Sequence, residues 1–183
     1  MNLKNIVQKA SNGSLTKAEL KEVHSALKSG KYDDYSLLLV IGRSGAREYI
    51  RDVECYLNNL ADPFLTRLAL QILCEYWGMA TRYEKEIEEF IKKIDWDEDD
   101  AVRLMAIACV VPLYKEKENI DLLRLVYDVF KDNSEREIVR CAAYETLALI
   151  SGKSVYELPQ PAHFNHANDV EPWVIENINK MIS

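Results

Sequence analysis

Residues 97–109 read DEDDAVRLMAIAC: four acids in a row, then an apolar run broken only by Arg103. A helix explains the join. Asp97 is placed to cap it, and Asp99 and Asp100 fall in its first turn, where the helix dipole favours each anion by roughly 0.3–1 kcal/mol. Beyond them, apolar or small residues cover most sides, so the helix must lie between neighbours. Two other stretches have the same build, DPFLTRLALQILC (62–74) and NSEREIVRCAAYETL (133–147). The three align on Arg67, Arg103 and Arg140, spaced 36 and 37 residues apart. Asp62, Asp99 and Ser134 precede the arginines. Ala69, Ala106 and Ala142 follow them, where neighbouring helices can approach closely. Gly78 and Gly152 lie 74 residues apart, twice that period, and each is placed to close an inner helix.

The helices between these stretches are one-sided. In LTKAELKEVHSALKSG (15–30), Thr16 and Glu19 form a capping-box pattern, Gly30 is the stop, and Leu20, Val23 and Leu27 supply an apolar stripe. TRYEKEIEEFIKKI (81–94) gathers Tyr83, Ile87, Phe90, Ile91 and Ile94 on one side, and NIDLLRLVYDVF (119–130) does so with Ile120, Leu123, Tyr127 and Phe130. Alternation of two-sided with one-sided helices is what a stack of helical hairpins requires, because a lone hairpin cannot cover its inner helix.

This pattern resembles the HEAT-like helical repeat family, in which an Asp near the start of the first helix and an Arg a turn later recur in each unit. The resemblance covers about residues 33–155. It implies a short right-handed α-solenoid with an Asp–Arg ladder, here Asp62, Arg67, Asp99, Arg103 and Arg140; the third unit offers Ser134 or Glu135 where Asp is expected. Pro112, inside the second inner helix, is similar to the kinks of that family. The expected fold is all-α, a single domain over residues 1–183: an N-terminal helical cap (1–32), three to four HEAT-like hairpins (33–155), then a loop and a capping C-terminal helix (156–183). Asp169 is the expected cap of that last helix.

Composition agrees with a globular helical chain: 48% hydrophobic and 29% charged residues, and 6 Gly with 5 Pro, too few for a turn-rich β fold. The start of the chain has no apolar stretch resembling a signal peptide, and the longest uncharged apolar run, Leu104–Tyr114, is far short of the roughly 20 residues that cross a bilayer. A cytoplasmic protein without a membrane partner is expected. Cys55, Cys74, Cys109 and Cys141 form no CxxC pair, and each is expected as a reduced core thiol.

Chemistry is sparse. His163 and His166 (HFNH) have a spacing that a metal can use, but a third ligand would have to come from Asp169 or Glu171. IGRSGAREY (41–49) reads as a helix-to-helix turn with solvated arginines rather than an anion cradle. No P-loop, GxGxxG, GxSxG or HExxH is present. The many carboxylates of residues 84–100 lie on a polar face without the burial that tunes a catalytic acid. No catalytic residue, metal or cofactor is expected, and the chain is not expected to be an enzyme.

Charge says more. The chain carries a net −7, and between Glu84 and Asp100 nine acids face three lysines, more than helix capping needs. An acidic surface argues against nucleic acid, whose binding releases counterions through basic groups, and favours a basic protein. Trp96, in KIDWDEDD, folds back over the gap between hairpins or serves as an aromatic anchor ringed by charge. The partner-binding residues expected are Glu84, Glu88, Glu89, Asp95, Trp96, Asp97 and Glu98. A small acidic chain of this sort looks like a bacterial immunity protein that covers a basic nuclease-type toxin. The alternatives are a HEAT-like adaptor or assembly chaperone and, less in keeping with the acidic helices, a HEAT-like DNA glycosylase.

Overall fold

A computed structural model describes residues 3–183, and among them every regular element is helical. None of these helices is long and apolar enough to cross a membrane. Where length suggests one domain, the chain forms two compact units that meet in sequence at Met79 and Ala80.

The first unit holds α1 (Leu3–Ser11), α2 (Lys17–Ser29), α3 (Asp34–Ser44), a 3-10 turn (Arg47–Tyr49) running into α4 (Ile50–Glu54), and α5 (Pro63–Gln71), which continues as a π-helical turn (Ile72–Tyr76). Local chemistry sets the boundaries. The Thr16 hydroxyl accepts from the Glu19 amide while the Glu19 carboxylate accepts from the Thr16 amide, and Gly30 ends α2 at φ +61°. Asp33 caps α3 and Asp62 caps α5, each carboxylate 3.0 Å from an amide of the first turn.

Helix α3 is the hub, packed against α1, α2 and α5. At one end, the Tyr56 hydroxyl donates to Asp34 and the Tyr56 carbonyl accepts from the Thr66 hydroxyl, both at 2.9 Å. At the other, the indole of Trp77 donates to the Gly42 carbonyl at 3.0 Å. Helices α3 and α5 therefore run side by side in the same direction. Gly42 is required by this approach: a Cβ there would lie 2.4 Å from Cγ1 of Ile72.

In the second unit a 3-10 turn (Ala80–Tyr83) leads into α6 (Glu84–Ile91), followed by α7 (Ala101–Glu116), α8 (Ile120–Lys131) and α9 (Glu137–Ile150). Helix α6 packs on α7, α8 on α9, and α7 on α9. The Thr146 hydroxyl donates to the Ile107 carbonyl at 3.1 Å midway along, and Asp100 meets Arg136 at the start, so α7 and α9 also run in the same direction. Their two-sided character follows: Val102, Ala106, Ile107, Cys109, Val110 and Leu113 of α7 are all fully buried. Pro112 sits inside α7 as expected.

Beyond α9, 3-10 turns (Val155–Glu157, Pro161–His163) and the short α10 (His166–Asp169) precede α11 (Pro172–Ile182), which packs on α8 and α9. Phe164 is buried against Tyr144, with ring centroids 5.9 Å apart, and the Glu171 amide donates to the Tyr144 hydroxyl at 3.0 Å. Asp169 does not cap α11. Its carboxylate accepts from the Asn165 amide at 2.6 Å, because the ring of Pro172 fixes the helix start three residues later. The thiols also divide: Cys74, Cys109 and Cys141 are buried, whereas Cys55, at the end of the short α4, is exposed.

Candidate protein-binding surface

The acidic stretch starts on α6, whose Ile87, Phe90 and Ile91 face the core. That amphipathic phase turns the glutamates outward, yet two of them are already engaged. Glu84 accepts from Lys117 at 2.8 Å and from the Asn119 amide group at 2.6 Å, and Glu88 pairs with Lys92 at 2.7 Å. A surface groove of about 450 Å³ runs beside them between α6 and α8. Its other acids are balanced too, Asp121 by Arg124 at 3.0 Å and Asp128 by Lys131 at 3.1 Å.

Asp97 is buried, and both of its oxygens serve the N-terminus of α7: they accept from the amides of Ala101 and Val102 at 2.9 Å and of Arg103 at 3.1 Å. This fulfils its expected role as a cap. It also takes Asp97 off the surface, so it is not placed to meet a partner directly.

Asp100 is buried with φ +57°, the one positive φ at a non-glycine among the described residues. Its carboxylate accepts from Arg136 at 2.9 Å and lies 3.8 Å from Arg103. Arg103 donates Nε to the Ile91 carbonyl at 2.8 Å and grips Glu135 with both terminal nitrogens. Arg140 repeats the first of these contacts, Nε to the Phe130 carbonyl at 3.1 Å. Both arginines thus close the C-terminal end of the helix before their own.

The expected ladder is therefore realised differently. Asp99 is exposed, and its neighbour Asp100 is the acid that meets the arginines. Arg67 is half-buried with no carboxylate partner among the described residues, and Asp62 acts as a helix cap. In place of an arginine, the Thr66 hydroxyl reaches back to the carbonyls of Tyr56 and Asn59. Arg136 and Glu135 complete the network. Their signal in the sequence was a Glu-Arg pair one period after Asp99 and Asp100, opposite in charge to it at one position.

What remains outside is narrower than the sequence suggested. Among the described residues, no cation pairs with the carboxylate of Glu86, Glu89, Asp95, Glu98 or Asp99, although Arg136 donates to the Glu98 carbonyl at 3.4 Å, while Lys85 and Lys93 are the unpaired lysines of the same stretch. Trp96, in the same stretch, is half-buried and edge-on to Phe90 at 6.3 Å.

Elsewhere polar side chains bond within their own unit, although Arg43 and Arg47 themselves stay exposed. Arg43 donates to the Ser11 hydroxyl at 2.7 Å and Arg47 to the Trp77 carbonyl, so IGRSGAREY braces its own unit. His166 stacks on Phe130 at 5.0 Å; burial, then the nearby charge of Arg140, holds its imidazole below the usual range. Among the described residues, no three His, Cys, Asp or Glu side chains converge as a metal site would need. Compared with protein-family models, with curated proteins and with solved structures, the chain matches none.

Proposed function

We propose that this protein is a binding module whose acidic seam docks a basic protein and blocks it, as an immunity protein neutralises a nuclease-type toxin. One observation carries the reading: the carboxylates of Glu86, Glu89, Asp95, Glu98 and Asp99 lack an internal cation, and the half-buried Trp96 belongs to the same stretch. A half-buried aromatic amid unneutralised carboxylates is the arrangement from which interface anchors are built. Of the residues expected to touch the partner, Glu89, Asp95, Trp96 and Glu98 are kept. Glu84, Glu88 and Asp97 act behind them.

The scaffold we propose is HEAT-like, with α6/α7 and α8/α9 as successive hairpins of a short right-handed solenoid and α11 as its end cap. In support, Arg103 and Arg140, 37 residues apart, make the same Nε contact to the preceding helix. The parallel run of α7 and α9 also fits stacked hairpins.

The test is affinity capture from the native cell with wild-type protein and with an Asp95→Lys/Glu98→Lys variant as bait, read by mass spectrometry. Wild type should retain a basic protein, encoded beside it if the immunity reading is right, that the variant loses. Purified, the pair should associate more slowly as salt rises. Equal capture by both baits would reduce the seam to a solubilising surface.

A further inference from the structure

Charge is divided unequally between the two units. Up to Met79 the chain carries ten Lys and Arg against nine Asp and Glu; from Ala80 onward it carries thirteen against twenty-one. Several acids of the first unit are engaged locally: Asp33 and Asp62 cap helices, Glu19 holds Lys9 and Thr16, and Asp34 accepts from Tyr56. Its cations are less so. Lys17, Lys21, His24 and Lys28 recur at i, i+4, i+7 and i+11 along α2, within about 60° of one another around the helix. They lie away from the buried Val23 and Ala26 and extend over about 16 Å at 1.5 Å per residue. Exposed Lys31 follows the end of the helix, and exposed Arg51 belongs to α4, which meets α2 where Asp52 contacts His24 at 2.9 Å and Lys28 at 3.4 Å. Lys17, Lys21, Lys31 and Arg51 have no anionic partner among the described residues.

We propose that this stripe on α2 is a docking surface for residues 86–99 of a second copy of the chain. The inference rests on reading those residues as a vacant surface and gives it a partner. Charge complementarity favours that occupant: four unpaired cations, Lys17, Lys21, Lys31 and Arg51, in one unit and a set of unpaired carboxylates in the other, in a single sequence. Unlike surfaces make a heterologous contact, the acidic patch of one copy on the basic patch of another. A second copy then competes with any other basic protein for the seam, and the seam is masked when that protein is scarce.

Sedimentation velocity on the full chain tests this at about 0.01 M salt, where the screening length is about 30 Å, and at about 1 M, where it is about 3 Å. Wild type should associate in the first condition and be monomeric in the second. Lys17→Gln/Lys21→Gln and Asp95→Asn/Glu98→Gln should each weaken self-association about ten-fold or more. Mixed one to one, the two variants should give a dimer that grows no further, since each retains the patch that the other lacks. A monomeric wild type at low salt, association that persists at high salt, or a mixture that stays monomeric would each overturn the inference. Retention on polylysine separates this from the function proposed above. If Lys17→Gln/Lys21→Gln is retained and Asp95→Asn/Glu98→Gln is not, the seam remains a cation-binding surface whatever becomes of self-association.

Discussion

Arg103 and Glu135 meet fork to fork, Nη1 to Oε2 at 2.8 Å and Nη2 to Oε1 at 2.5 Å, across 32 residues of sequence. The arginine side chain is only 4% exposed, so removing Glu135 leaves a charge that water cannot reach, faced only by Asp100 at 3.8 Å. Glu135→Ala should therefore destabilise by about 3 kcal/mol in urea unfolding, and Arg103→Met with Glu135→Leu should cost less than the first change alone. A double-mutant cycle showing no coupling between the two would refute this.

Asp97 supports three amides at the start of α7, whereas its exposed neighbour Asp99 supports none. Asp97→Ala should lose about 2 kcal/mol, the upper end for a helix cap. Asp99→Ala should stay within about 0.5 kcal/mol of wild type, as at an ordinary surface site. Equal losses at the two positions would remove the distinction between the capping acid and the vacant ones.

Gly42 and Ile72 share one space between α3 and α5. A Cβ at Gly42 would come within 2.4 Å of Cγ1 and 2.7 Å of Cδ1 of a side chain with no exposed surface. Gly42→Ala should cost about 1–3 kcal/mol by overpacking. In an Ile72→Ala background the same change should be markedly less harmful. An unaltered penalty there would locate the strain elsewhere.

Burial raises the Glu145 carboxyl above its ordinary value of 4.5, and the Cys141 thiol, donating at 3.8 Å, only partly offsets this. A carboxyl with a raised folded-state pKa binds its proton more tightly in the folded than in the unfolded chain. Its contribution is fully present below the unfolded value and is lost as pH rises through the folded one. Glu145→Gln should thus increase the unfolding free energy relative to wild type at pH 7 and not at pH 4, by about 1 kcal/mol at most for a half-buried group. The same gain at both pH values would show that the carboxylate's charge is not the cause.

Features set by neighbours in the chain were legible in the sequence. The Thr16–Glu19 box, the Gly30 stop and the Asp97 cap each require only a few consecutive residues, and all are formed. Features set across the fold were not. Asp100 rather than Asp99 meets the arginines because Arg136, 36 residues on, engages it where the backbone turns left-handed. Glu84 is neutralised by Lys117, 33 residues away, which no count of local charge reveals. Asp169 illustrates a local signal overruled by a stronger one: Pro172 suits a first helical turn better than an aspartate three residues earlier suits a cap. The division at Met79 leaves no mark in a helix pattern that continues with the same period on both sides.

The uneven placement of the four cysteine sulfurs gives this chain a built-in reporter. A maleimide dye should modify the native protein once, at Cys55, and so tag the first unit without any engineered change. Cys141 is doubly shielded, by its enclosure and by a thiol pushed up to about 12 by burial and then by Glu145, so an alkylating reagent reaches it only after α9 opens. The labelling rates of Cys74 and of Cys109 with Cys141 would time the opening of the first and second units separately in one untouched polypeptide.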